Sequence, residues 1–157
     1  MASLLAVDLG LRTGLAGFDS EGRVLWYRSQ NFGSRRRLIN GAAALIRTLP
    51  DLSHVVIEGG GELAPPWQNA ATRAGLEHFL VDAHTWRESL LLPRQRRTGA
   101  LAKEAADGLA RRVIEWSGAA KPTSLRHDAA EAVLVGLWAV LKLGWLESVP
   151  PEVSGRR

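Results

Sequence analysis

Two short apolar runs in this chain each end in a carboxylate. Leu4-Leu5-Ala6-Val7 leads into Asp8 and Val55-Val56-Ile57 leads into Glu58, with glycine following each within two residues. A carboxylate set beside an apolar core costs roughly several kcal/mol unless a cation or hydrogen-bond donors compensate it. Two such placements in one chain ask for a common explanation, and a shared metal ion supplies one. A third segment extends the set. Asp128 and Glu131 stand three residues apart on one face at the start of a predicted helix, and His127 stands four before Glu131. The chain has no cysteine, so a metal must be held by carboxylate, imidazole or water, which favours Mg²⁺ or Mn²⁺. Four carboxylates could hold a pair of such ions about 3.5 to 4 Å apart, an arrangement suited to hydrolysis of a phosphodiester. Each residue alone has a plainer reading: Asp8 could begin a turn, Glu58 could pair with an arginine, and Asp128 and Glu131 could favour the helix dipole.

The basic residues point to the same class of substrate. Twenty Lys and Arg against sixteen Asp and Glu leave a formal charge of only +4, so clustering carries the signal rather than the total. Arg35, Arg36 and Arg37 form one group and Arg94, Arg96 and Arg97 another, each at a predicted loop or helix start, as expected for contact with a polyanion. Solvated surface arginines are the alternative. The absence of cysteine excludes a disulfide framework and a thiolate nucleophile. Leu4 to Leu9 is too short to span a bilayer and no signal-type segment precedes it, so a cytoplasmic location without a membrane partner is expected.

These residues must be positioned by a fold. The 157 residues match one domain, with 46% hydrophobic and 23% charged residues, as in ordinary globular proteins. Leu4–Leu9, Thr13–Phe18 and Val24–Phe32 read as three strands of an antiparallel meander separated by turns. Ser34 caps a helix predicted over Arg35–Thr48. His54–Glu58 reads as an interior parallel strand, Trp67–Glu77 as a helix, His78–Ala83 as a fifth strand and His84–Leu91 as a short helix. Pro93–Thr98 is a basic loop, followed by helices over Ala100–Ser117 and His127–Leu146. The expectation is an α/β fold: a five-stranded mixed sheet, three antiparallel strands then two parallel, covered by helices on both faces. Residues 1–147 form the domain, and 148–157 are expected to be a flexible tail.

The segments Ala6-Val7-Asp8-Leu9-Gly10, Val56-Ile57-Glu58-Gly59 and His127-Asp128-Ala129-Ala130-Glu131-Ala132 resemble the catalytic segments of RuvC-type Holliday junction resolvases. The resemblance covers nearly the whole chain. It implies an RNase H-like fold and a Mg²⁺- or Mn²⁺-dependent endonuclease acting in DNA recombination and repair. By the same resemblance Asp8, Glu58, Asp128 and Glu131 hold two divalent ions, with His127 a substitute or assistant. Lys103, in Thr98-Gly99-Ala100-Leu101-Ala102-Lys103, is similar to the family's lysine beside a basic loop that meets DNA, a role Arg94, Arg96 and Arg97 would share and Arg35 to Arg37 would extend. The segment from Gly59 to Trp67 departs from bacterial members. Junction opening by an inserted aromatic is thus not implied, and Trp67, a large aromatic at a helix start, is read as a core residue before a base-stacking one. Trp86 resembles a structural tryptophan of the wider group, and His54, His78 and His84 have no partner at ligand spacing.

The resemblance further implies four-way DNA junctions as substrate, a homodimer so that paired nicks have two active sites, and a branch-migration helicase as a possible partner. Helix surfaces after Trp67 and around Trp138 and Trp145 are the candidate dimer contacts. Other readings are ribonuclease H-type cleavage of RNA in hybrids, ATP binding through Asp8-Leu9-Gly10-Leu11-Arg12-Thr13, and a catalytically inactive junction-binding module. The His-Asp-x-x-Glu helix weighs against the ribonuclease, the single domain against the ATP-binding superfamily, and the four acidic positions against the inactive module.

Overall fold

The computed structural model describes residues 1–155. Five strands form one sheet: β1 (Ser3–Asp8), β2 (Arg12–Asp19), β3 (Val24–Asn31), β4 (Leu52–Glu58) and β5 (Glu77–Val81), in the order β3-β2-β1-β4-β5. β2 is antiparallel to both β1 and β3, and β4 is parallel to both β1 and β5. This is the mixed sheet expected from the sequence. Six helices follow the meander: α1 (Arg35–Thr48), α2 (Ala64–Arg73), α3 (Ala83–Leu90), α4 (Gly99–Ser117), α5 (His127–Lys142) and α6 (Pro151–Ser154).

Side chains alternate between the faces of a strand, and that alternation divides the core into two clusters. Leu4, Ala6, Ala16, Phe18 and Val56 join residues of α4 and α5, whereas Leu5, Val7, Leu15, Val55 and Ile57 join residues of α1 and α2. β1 is covered on both faces, which explains its unbroken apolar run. α5 is the central helix, buried all round from Ala129 to Val140. It lies very close to the sheet. A Cβ at Gly14 would strike the Asp128 carbonyl, and one at Gly136 would strike the Phe18 ring, so glycine at both positions admits the helix.

α1 has the predicted bounds, with the Ser34 hydroxyl accepting from the Arg37 N–H at 3.2 Å. α2 starts three residues earlier than predicted and ends at Arg73, because Pro65 and Pro66 suit a first helical turn and Gly75 (φ 74°) closes the helix. α5 stops at Lys142 rather than Leu146, where Gly144 (φ 75°) reverses the chain. Within the predicted basic loop, Pro93–Arg96 form a 3-10 turn.

The tail expected from residue 148 is not frayed as far as it is described. Pro151–Ser154 form α6, Val153 is fully buried in the α4–α5 core, and Arg112 Nε donates to the Val153 carbonyl at 2.6 Å. Arg156 and Arg157 lie outside the described residues. On the helix surfaces offered as candidate dimer contacts, Trp138 is buried against Phe79 and Trp145, half-buried, stands edge-on to His54. Among the described residues no helix is long and apolar enough to cross a membrane.

Candidate metal centre

Strand register puts the first two carboxylates side by side. Asp8 and Glu58 are direct partners across the parallel β1–β4 pair, and each shares the strand face of Ala6 and Val56, the face that meets α5. The first turns of α5, admitted by Gly14, bring Glu131 over them. One carboxylate oxygen from each of Asp8, Glu58 and Glu131 lies within 4.8 Å of the others, the only such group among the described residues. Glu58 and Glu131 are buried. Burial, a hydrogen bond with Glu58 and the charges of Glu58, Glu131 and Asp128 push the Asp8 pKa from 3.8 to about 10. Left to itself the cluster therefore retains a proton at neutral pH. Three crowded, part-buried oxygen donors with no soft ligand fit a hard divalent cation such as Mg²⁺ or Mn²⁺, whose charge would offset that shift.

Asp128 stands beside this group rather than in it. Its Oδ2 accepts from the Ser29 hydroxyl at 2.9 Å and its Oδ1 from the Ala129 N–H at 2.7 Å, while its charge still acts on Asp8. His127 Nε2 lies 2.8 Å from Glu131 Oε1, and Arg87 Nη2 donates to that same oxygen at 2.7 Å. His127 is thus placed as a partner of Glu131, and both contacts restrain that carboxylate from one side.

Arg87 and Ser29 were not legible as site residues, because nothing in the spacing of α3 or β3 reveals that they face α5. A weak signal existed for Arg87: it follows Trp86, which is fully buried as expected, so its helix had to lie against the core.

The basic residues are distributed around the centre. Arg96 and Arg97 line a cavity of about 280 Å³ together with His84, Arg87 and Thr98, whereas Arg94 is exposed on the same turn and does not line it. Lys103 is exposed near the start of α4, with no ion pair or hydrogen bond to the carboxylates. Arg35, Arg36 and Arg37 are exposed at the start of α1. β3 runs in the direction of β1, so that start lies at the sheet edge where Asp8 and Glu58 end. Arg28 and Arg126, also unforeseen, line a pocket with Ser29, the residue that donates to Asp128.

Trp67 is fully buried with its ring edge-on to Phe32 at 6.3 Å, so it is a core residue and not a platform for a base. His54 contacts Ser53, His78 contacts Thr72 and His84 pairs with Glu88; none joins the centre.

No family model matches the chain, and no curated protein does. Solved structures are similar in fold. T. thermophilus RuvC in complex with Holliday junction substrate superposes with a TM-score of 0.67 over 92% of this chain and 96% of that one, at 16% identity. The catalytic core domain of BIV integrase (TM-score 0.34, 11% identity, 85% of this chain and 80% of that one) is more distant. So is a chain of the simian T-cell lymphotropic virus intasome in complex with PP2A regulatory subunit B56 gamma (TM-score 0.36, 15% identity, 88% and 47%). At such scores these two carry no weight. From register, helix order and the RuvC superposition together, the chain has the RuvC fold, with its three gathered carboxylates where β1, β4 and α5 meet.

Proposed function

We propose that this protein is a structure-selective endonuclease that resolves four-way DNA junctions by divalent-metal-dependent hydrolysis of phosphodiesters. The observation that carries the reading is the convergence of Asp8, Glu58 and Glu131, from three separate elements, on a chain with the fold of a junction-bound RuvC. Asp8, Glu58 and Glu131 would hold the first of two ions, and Asp128 would supply the further carboxylate that a second requires. A bound Mg²⁺ or Mn²⁺ would supply Lewis-acid chemistry there, activating water and offsetting charge on the phosphate.

The chain's own residues provide the rest. Glu131 is kept in place by Arg87 and His127, so its oxygens need little reorganisation when substrate arrives. Arg94, Arg96, Arg97 and Lys103 on one flank and Arg35 to Arg37 on another would hold phosphates and set the position of the DNA. Paired nicks require two such centres, hence a twofold homodimer, acting in the cytoplasm in recombination and repair with a branch-migration helicase as a possible partner.

The test is cleavage of labelled four-way junction, linear duplex and RNA/DNA hybrid with Mg²⁺ or Mn²⁺, comparing the intact protein with Asp8→Asn. The expected result is symmetric nicks in the junction alone, absent in the variant. Cleavage of the hybrid would transfer the assignment to a ribonuclease H activity, and inactivity on all three substrates would refute the nuclease reading.

A further inference from the structure

We infer that the cavity between α3 and the start of α4 is a phosphate pocket, which seats a backbone phosphate neighbouring the one that is cut, and that Arg87 ties it to the carboxylate centre. Three guanidinium-bearing side chains, Arg87, Arg96 and Arg97, line this space of about 280 Å³ with His84, Thr98 and Gly99, and no acidic residue lines it. Arg87 is already paired with Glu131, so the guanidinium groups of Arg96 and Arg97 are the ones left for an entering anion to meet. His84 has a carboxylate partner in Glu88, 3.3 Å away, but among the described residues Arg97 makes no ion pair or hydrogen bond, and Arg96 reaches only the Leu91 carbonyl, at 3.4 Å. The cavity therefore has basic donors to spare.

Two further features favour an anion here. α4 is 19 residues long and starts here, with the Thr98 hydroxyl already accepting from the Leu101 N–H. The positive end of the helix thus faces the cavity, and at Gly99 a Cβ would meet no atom within 4 Å, so an anion can approach the backbone closely. Arg87 then joins this pocket to the centre. Its Nη2 donates to Glu131 Oε1 at 2.7 Å, while its Nε is shut off from solvent with no hydrogen-bond partner. One guanidinium thus separates the pocket from a carboxylate of the metal group. A strand with one phosphate at that group can place the next at the pocket.

That the anion belongs to a DNA strand rests on the nuclease reading; that the pocket binds phosphate does not. The experiment is calorimetric titration of inorganic phosphate into the full chain in EDTA, followed by competition between phosphate and a short fluorescent single-stranded oligonucleotide. Arg97→Ala removes an exposed side chain without contacts, so the fold should survive, and Arg47→Ala at the far end of α1 is the control. Phosphate should bind the wild type and the control alike and about tenfold more weakly to Arg97→Ala, the effect of losing one charge-assisted contact. It should also displace the oligonucleotide, whose salt slope should become shallower by about 0.7 in the variant. Arg87→Ala should in addition weaken Mn²⁺ binding, by about tenfold, whereas Arg97→Ala should leave it unchanged.

Equal phosphate affinity in wild type and Arg97→Ala, or none in the wild type, overturns the pocket. Phosphate binding that fails to compete with the oligonucleotide makes it a free-anion site and overturns the strand assignment. Unaltered Mn²⁺ affinity in Arg87→Ala removes the link to the centre. Failure of junction cleavage with phosphate binding intact would instead refute the nuclease reading and leave the pocket standing.

Discussion

Asp8→Asn should abolish a pH dependence of stability as well as any catalysis. Asp8 has a pKa of 3.8 when unfolded, and burial and its three carboxylate neighbours raise it to about 10 in the folded chain. A raised folded pKa means that the native state binds more protons, so metal-free stability falls as pH rises through the interval between those values. One proton contributes at most about 1.4 kcal/mol per pH unit, on the order of 3 kcal/mol between pH 6 and 8. For a domain of this size that amounts to a fall in Tm of about 5 to 10 °C. Asparagine keeps the shape and carries no charge, so the variant should show a flatter Tm-against-pH curve in EDTA. Divalent ion should reverse the effect in the wild type: at a hundred times its Kd it adds about 2.7 kcal/mol, more easily at higher pH because the Asp8 proton competes less. Thermal denaturation from pH 6 to 8, with EDTA and with Mn²⁺, reads both quantities. Parallel curves for the two proteins in EDTA, or equal Mn²⁺ shifts, would refute the idea that Asp8 is a buried, metal-seeking carboxylate.

Other substitutions probe the same architecture. Gly14→Ala drives a methyl group into the Asp128 backbone, so it should cost about 1 to 3 kcal/mol and weaken Mn²⁺ binding by moving α5, as denaturant unfolding and calorimetry would register. Trp67→Ala should cost about 3 to 5 kcal/mol by leaving a cavity beside Phe32, yet the folded fraction should bind junctions as the wild type does in a gel-shift assay. Asp128→Asn keeps an acceptor for Ser29 and leaves Asp8, Glu58 and Glu131 in place, so cleavage rates measured beside Asp8→Asn should fall by less.

Much of this protein is local and therefore visible in the sequence. Strand faces follow from alternation, so Leu4, Ala6 and Asp8 necessarily share one side of β1, and a Ser34 cap with apolar residues at helical spacing sets α1. Apolar runs interrupted by one carboxylate marked Asp8 and Glu58, and the spacing of Asp128 and Glu131 placed both near one end of α5. Their ranking was not visible. Both acids of α5 lie in its first turns, but only the approach of that helix to β2, permitted at Gly14, decides that Glu131 joins Asp8 and Glu58 while Asp128 turns to Ser29. Trp67 gave an ambiguous signal at a helix start, because the sequence of α2 does not say which side α1 covers. The tail looked frayed because a single valine has no periodicity, and it is ordered through contacts with α4, among them Arg112 to Val153, 41 residues apart in the chain. Arg87 is the clearest case of what tertiary structure alone decides. Composition and helical spacing make it an ordinary surface arginine of α3, and it becomes part of the centre only because α3 packs on α5 and leaves Glu131 within hydrogen-bonding distance.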